Sequence, residues 1–177
     1  MTAEATWERE TPMSWEEYDA LDDDAPGEYL DGKLVVSLRP SLVHQRAVLR
    51  LALLLQGAFP DHEVLPEGAW KPAADEFAPD VMVIPRTEEV LRFTGTPVLV
   101  VEVLSTNRVH DLVRKVAKYA ALGLPRYWVL DPTGRQLHDF ELRDGVFERV
   151  ALVAEEGRTA FLPDVPISMS ALLDVHR

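Results

Sequence analysis

The chain contains no cysteine, which excludes a disulfide framework, a thiolate nucleophile and a cysteine-ligated zinc centre. It is also poor in positive charge: 18 Lys and Arg stand against 30 Asp and Glu, for a net charge of -12. Taken whole, that balance opposes duplex binding, which is driven mainly by Lys and Arg on phosphates. Long apolar runs are missing too. The stretch LRLALLLQGAF is broken by Arg50 and Gln56 and falls short of the roughly 18 or more apolar residues a membrane-spanning helix needs. No membrane association is expected. The opening MTAEATWERE has neither the basic nor the apolar region of a signal peptide, so the expectation is a cytoplasmic protein. There is no internal repeat, low-complexity tract or linker. What is there, 177 residues with 47% hydrophobic content, suits one domain, residues 1–177, able to bury a substantial core.

The distribution of charge qualifies the net value. Residues 1–31 hold eleven of the acids against the single base Arg9. Between 106 and 126, by contrast, Arg108, Arg114, Lys115, Lys118 and Arg126 face only Asp111. This basic stretch is open to two readings: a phosphate-facing patch, or a solvated helix face balancing the acidic N-terminal region.

Local patterns give the elements. In MSWEEYDAL, Ser14 followed three residues later by Glu17 is a capping box, and Trp15, Tyr18 and Leu21 recur at helical spacing. GEYLDGKLVVS reads as two strands around Asp31-Gly32, a dipeptide suited to a type I′ turn. From Ser41 to Ala58 the chain reads as a long helix, apolar over much of its circumference and ended by Gly57 and Pro60. Weak strands near EVLPEG and GAWKP precede two β-rich runs, PDVMVIP and PVLVVEVLS, expected as neighbouring central strands. NRVHDLVRKVAKYAALG is an amphipathic helix, with Val109, Leu112, Val113, Val116 and Ala120 expected inward and Gly123 at its C-terminal cap. RYWVLDP is another buried strand, RQLHDFEL and GVFERVALVA form a hairpin across Asp144-Gly145, and SMSALL closes the chain as a short helix. The order α, ββ, α, β, β, α, β, β, β points to an α/β or α+β fold with a mixed sheet.

Chemistry is suggested by one carboxylate, Glu102, inside the apolar run PVLVVEVLS. An ionised carboxylate there needs a compensating partner or metal. Asp80 opens the preceding predicted strand, so on neighbouring strands the two carboxylates can converge at a common end. With backbone carbonyls and water they form an oxygen donor set that suits Mg²⁺, which polarises phosphoryl oxygens and acidifies bound water. Lys115 lies one helical turn after Asp111 and one before Tyr119, where its ammonium could orient the water or stabilise charge on a phosphate. Lys118 is the alternative lysine. Without a metal, Glu102 and Lys115 would simply form a buried ion pair.

Other polar residues have plainer readings. His44 is expected as a helix residue packed or hydrogen-bonded near the domain surface, with a role touching the site as the alternative, and Asp61, His62 and Glu63 as solvent-exposed rather than a metal cluster. Tyr127 and Trp128 are read as core, Asp131 as a turn residue, and Ser105 and Thr106 as helix caps rather than nucleophiles.

Asp80 in APDVMVI, Glu102 in VLVVEVLSTN, the Asp111, Lys115 and Tyr119 ladder, and GLPRYWVLDP together resemble the Uma-type family of bacterial restriction-endonuclease-like proteins, within the PD-(D/E)xK nuclease superfamily. The resemblance extends to MSWEEYDAL, to Glu28 and Gly32 in GEYLDGKL, and to His44. It implies a restriction-endonuclease-like core, a mixed central sheet flanked by helices, and a Mg²⁺-dependent (or Mn²⁺-supported) endonuclease hydrolysing phosphodiester bonds in DNA. Carried over, it makes Asp80 and Glu102 the metal ligands, Glu28 an accessory acid, and Lys115 the catalytic base or electrostatic residue. The chain departs from the superfamily pattern in one place, where Leu104 stands at the usual lysine position two residues after the second carboxylate.

That departure and the acidic N-terminal region motivate an alternative: a catalytically inactive nuclease-fold module binding nucleic acid or protein. A third reading is a metal-dependent hydrolase of small phosphate esters. A homodimer would fit the nuclease reading, since a double-strand break needs two cuts.

Overall fold

The computed structural model describes residues 8–21, 27–37, 40–105, 109–160 and 163–175, with backbone alone for residues 8 and 109–112. Its first element is β1 (Glu8–Pro12), followed by α1 (Trp15–Asp19). The Ser14 N–H donates to Glu17 Oε2 at 2.8 Å and the Glu17 N–H to Ser14 Oγ at 3.2 Å, completing the expected capping box. Strands β2 (Glu28–Leu30) and β3 (Lys33–Ser37) form a hairpin. Asp31 and Gly32 both take positive φ, 53° and 74°, as a type I′ turn requires.

Helix α2 (Leu42–Ala58) starts at the N-cap Ser41. Then come β4 (His62–Pro66), β5 (Val81–Pro85), β6 (Leu99–Val103), α3 (Val109–Ala121), β7 (Arg126–Asp131), β8 (Gln136–Arg143) and β9 (Val146–Ala154). The short strands β10 (Glu156–Arg158) and β11 (Pro166–Ser168) and helix α4 (Met169–Leu173) end the fold.

The central sheet has the order β4-β5-β6-β7-β8-β9. Only β6 and β7 pair in parallel; the other neighbours are antiparallel. A parallel pair needs a crossover, and α3 supplies it. The fold is thus α+β, with a mixed central sheet flanked by helices.

Two apolar layers sandwich the sheet, set by the alternation of side chains along each strand. On one face Leu99, Val101 and Val103 of β6 pack with Ala47, Val48, Leu51 and Leu55 of α2 and with Met169 and Leu172 of α4. On the other, Val100, Met82, Ile84 and Tyr127 pack with Tyr119 of α3, Trp70 and Phe77. Burial on both faces explains why β6 reads as an apolar run with Glu102 as its one polar residue. Glu102 falls on the second face, directed at α3.

Some expectations need correction. Val113 is largely exposed, while Lys115 and Tyr119 are buried, so α3 turns a different stripe inward. GAWKP forms no strand; Trp70 makes isolated bridges to Phe77 and Phe93. Strands β1, β10 and β11 were not expected. The roles assigned to Thr106 and Arg108, and the side chains of Val109, Asp111 and Leu112, lie outside the described residues.

Candidate active site

In the antiparallel register of β5 and β6, Val81 opposes Val101, and one further step sets Asp80 across from Glu102. Asp80 Oδ2 accepts the Val103 backbone N–H at 2.7 Å, so its carboxylate is held against the end of β6. Its Oδ1 lies 3.0 Å from Nε2 of His44, in the first turn of α2. Glu102 Oε1 accepts the Tyr119 hydroxyl at 2.8 Å and lies 3.4 Å from Lys115 Nζ. These two α3 residues are one turn apart and therefore meet the same carboxylate.

Glu28 completes the cluster from the small sheet β1-β3-β2. Its Oε2 is 2.8 Å from Lys115 Nζ, and its Oε1 accepts the Ala78 N–H at 2.7 Å. Although β2 is an edge strand, Glu28 is not the exposed acid such a position usually carries. Exposure is 8% for Glu28, 3% for His44, 4% for Asp80, 5% for Glu102 and 3% for Lys115. At such burial charges interact strongly and solvent screens little.

The electrostatic consequence is clearest at Glu102. Burial pushes its carboxyl up to about 8; the Lys115 ammonium opposes that, Asp80 and Glu28 push it further, and the Tyr119 bond lowers it. Burial also raises the Tyr119 hydroxyl well above its ordinary value, with the nearby Glu102 and Glu28 charges adding to the effect, so this residue stays a hydrogen-bond donor.

Glu28 and Glu102 share the Lys115 ammonium, while Asp80 is held by His44 and the Val103 N–H. Among the described residues, no three His, Asp or Glu side chains are drawn into a ready-made ion cage; Lys115 instead bridges Glu28 and Glu102. The donor chemistry nonetheless fits a hard divalent cation: carboxylate oxygens are its preferred ligands, and such an ion offsets both the burial that chiefly raises Glu102 and the Asp80 and Glu28 charges that add to it.

Lys118 lies outside this cluster, 2.6 Å from both Asp31 Oδ1 and Asp75 Oδ2. Arg114 pairs with Glu10 at 3.0 Å, and Arg126 with the buried Asp139 at 3.0 Å. Within the basic stretch, Arg114 and Lys118 of α3 thus pair with the acids Glu10, Asp31 and Asp75, while Lys115 and Arg126 pair with buried carboxylates. His62 and Glu63 are half-buried and Asp61 exposed. Asp131 makes its turn by accepting the Thr133 and Gly134 N–H groups at 3.0 and 2.9 Å.

For His44 the structure departs from the first expectation, a place near the domain surface, and follows the alternative, packing it buried against Asp80. Its signal was present: His44, Ala47, Val48, Leu51 and Leu55 all fall on the buried stripe of α2. A histidine on that stripe points to the core, not to the surface.

Comparison with known proteins accords with this architecture. Residues 15–175 match the model of the Uma2 family, described as "Putative restriction endonuclease". A crystal structure of a "putative nuclease belonging to DUF820" from Anabaena variabilis ATCC 29413 is similar to the chain with a TM-score of 0.75. The two are 16% identical, and the likeness covers 91% of this chain and 97% of that one, which establishes a shared fold. No curated protein matches the sequence. Because the family match runs over most of the chain and the fold agrees with it, this protein belongs to the Uma2 family.

Proposed function

We propose that the protein is a Mg²⁺-dependent endonuclease hydrolysing phosphodiester bonds in DNA. The observation that carries this reading is the convergence of Asp80, Glu102, Glu28 and Lys115, from four separate parts of the fold, on one buried and negatively charged cluster. Asp80 and Glu102 would hold the divalent ion, with Mn²⁺ able to replace Mg²⁺. When bound, the ion supplies Lewis-acid polarisation of the scissile phosphate and acidifies the attacking water.

The chain's own groups do the rest. Glu28 fixes the Lys115 side chain. Lys115 donates hydrogen bonds in the cluster, which favours an electrostatic role toward the water or a phosphate oxygen over proton abstraction. Tyr119 fixes one Glu102 oxygen and leaves the other for the ion. Water attacks phosphorus as the bond to the leaving oxygen breaks; the attacking water gives up a proton to solvent, and the leaving oxygen takes one up from solvent. A homodimer would place two such centres on two strands, and light scattering with and without duplex DNA tests that part.

The primary test is incubation of supercoiled plasmid and single-stranded DNA with the protein in Mg²⁺ or Mn²⁺, beside Asp80→Asn and Glu102→Gln. Cleavage should be lost in both variants while circular dichroism stays native. Retained cleavage in both refutes the assignment. A second reading, an inactive module binding nucleic acid or protein, is favoured by Leu104 at the usual lysine position together with the Lys115 bridge between Glu28 and Glu102. It predicts metal or DNA binding without cleavage.

A further inference from the structure

We infer that His44 is a positioning residue of this site: without itself ligating the ion, its imidazole holds the Asp80 carboxylate in the orientation that a divalent cation requires. The inference rests on the metal-dependent reading above. His44 is fixed in its backbone by the N-cap, since its N–H donates to Ser41 Oγ at 3.2 Å, and in its side chain by burial on the α2 stripe.

The hydrogen-bond chemistry identifies the tautomer. An ionised carboxylate only accepts, so Nε2, 3.0 Å from Asp80 Oδ1, carries the proton. Nδ1 is buried and has no hydrogen-bond partner among the described residues, so Nε2 is the nitrogen through which His44 acts, donating to Asp80 and orienting its carboxylate.

Together with the Val103 N–H on Oδ2, His44 gives each Asp80 oxygen one fixed donor, which sets the plane of the carboxylate. Each oxygen can accept more than one hydrogen bond or ion, so the restraint does not exhaust its capacity. Groups that orient ligands in this way typically govern metal affinity as well as activity.

The test is calorimetric titration of Mn²⁺ into the metal-free full chain, comparing native protein with His44→Gln, His44→Leu, His44→Asn and Asp80→Asn. The glutamine amide can reach where Nε2 lies; the asparagine amide is too short, and leucine has no donor. Weakening of about 10- to 100-fold is expected for His44→Leu and His44→Asn, near-native affinity for His44→Gln, and loss of binding for Asp80→Asn. Should His44→Leu not fold, the Gln and Asn pair makes the same comparison. A role in packing alone would lower thermal stability and leave the affinity of the folded variants unchanged, and that result overturns the inference by itself. If the native chain binds no Mn²⁺, the metal reading fails and the role of His44 with it.

Discussion

Lys115 reaches from helix to sheet to meet Glu102, with Nζ 3.4 Å from Oε1. The same ammonium lies 2.8 Å from Glu28, so one internal cation holds two buried carboxylates together. Replacing it should expose what it compensates. Lys115→Met, similar in volume and uncharged, is expected to destabilise the metal-free protein by about 3–5 kcal/mol, the usual cost of stranding a buried charge. Millimolar Mn²⁺ should restore part of that loss by supplying another cation. Urea melts in chelator and in Mn²⁺ measure both effects, and equal losses in the two conditions would argue against cation binding at these carboxylates.

Glu102 gives the protein a specific pH dependence. Its carboxyl is raised from an ordinary 4.5 to about 8, chiefly by burial, so the folded chain retains a proton that the unfolded chain releases. The corresponding stability is fully present below the unfolded value and is lost as pH rises through the folded one. Relative to the native chain, Glu102→Gln should therefore gain stability between pH 5 and pH 8 in metal-free buffer, because its neutral amide never ionises. Native Mn²⁺ affinity should rise over the same range as the competing proton is removed. Urea denaturation and calorimetry at pH 5, 6.5 and 8 test both trends; parallel stability profiles for the two proteins would mean that Glu102 is not perturbed.

Much of this arrangement was legible in the sequence because the relevant rules are local. Ser14 and Glu17 specify a helix start by themselves, and Asp31-Gly32 and Asp144-Gly145 specify turns because all four residues take positive φ. Glu102 stood out because a charge in an apolar strand needs compensation, which Lys115 and Tyr119 supply. The inward stripe of α3 was less decidable: Val109, Leu112, Val113 and Val116 make as regular a face as Lys115, Val116 and Tyr119. The choice is made by tertiary partners, since Glu102 and Glu28 draw Lys115 and Tyr119 in and leave Val113 outside. Strands β1, β10 and β11 were hidden for a related reason. ERETP and EGR have no apolar alternation, and their extended form depends on pairing with β3 and β11.

Asp139 shows how a buried charge can be structural. Its two oxygens accept from Arg126 Nη2 at 3.1 and 3.0 Å, from Trp128 Nε1 at 2.8 Å and from the Ala160 N–H at 2.9 Å. These bonds tie β7 and β8 to the segment leading toward β11. Asp139→Ala removes the buried carboxylate that pairs with the Arg126 guanidinium and accepts the Trp128 indole N–H, so a loss of about 3–5 kcal/mol is expected. Mn²⁺ affinity of the protein that remains folded should not change, because the hydrogen bonds of Asp139 run to Arg126, Trp128 and Ala160 and to none of the residues around Glu102. A drop in affinity measured well below the melting temperature would instead place Asp139 among the groups that support the site.

On the proposed function, DNA approaching this acidic protein must find cations, and several are engaged by acids from the N-terminal region. Glu10 holds both Lys33, at 2.6 Å, and Arg114, at 3.0 Å, while Asp31 shares Lys118 with Asp75. Glu10→Gln combined with Asp31→Asn removes two negative charges, and the asparagine retains the turn chemistry that Asp31-Gly32 needs. If α3 faces the duplex, the variant should bind DNA more tightly, and its log–log salt dependence should steepen by about 0.9 for each further phosphate that Lys33, Arg114 and Lys118 then neutralise. Stability should change little, since exposed ion pairs contribute about 0–1 kcal/mol each. Fluorescence anisotropy with labelled duplex across a salt series, in Ca²⁺ to suppress cleavage, gives both slope and affinity. An unchanged slope would mean that the duplex meets another face, whereas tighter binding with a steeper slope would identify the acidic N-terminal region as a built-in competitor for the phosphate backbone.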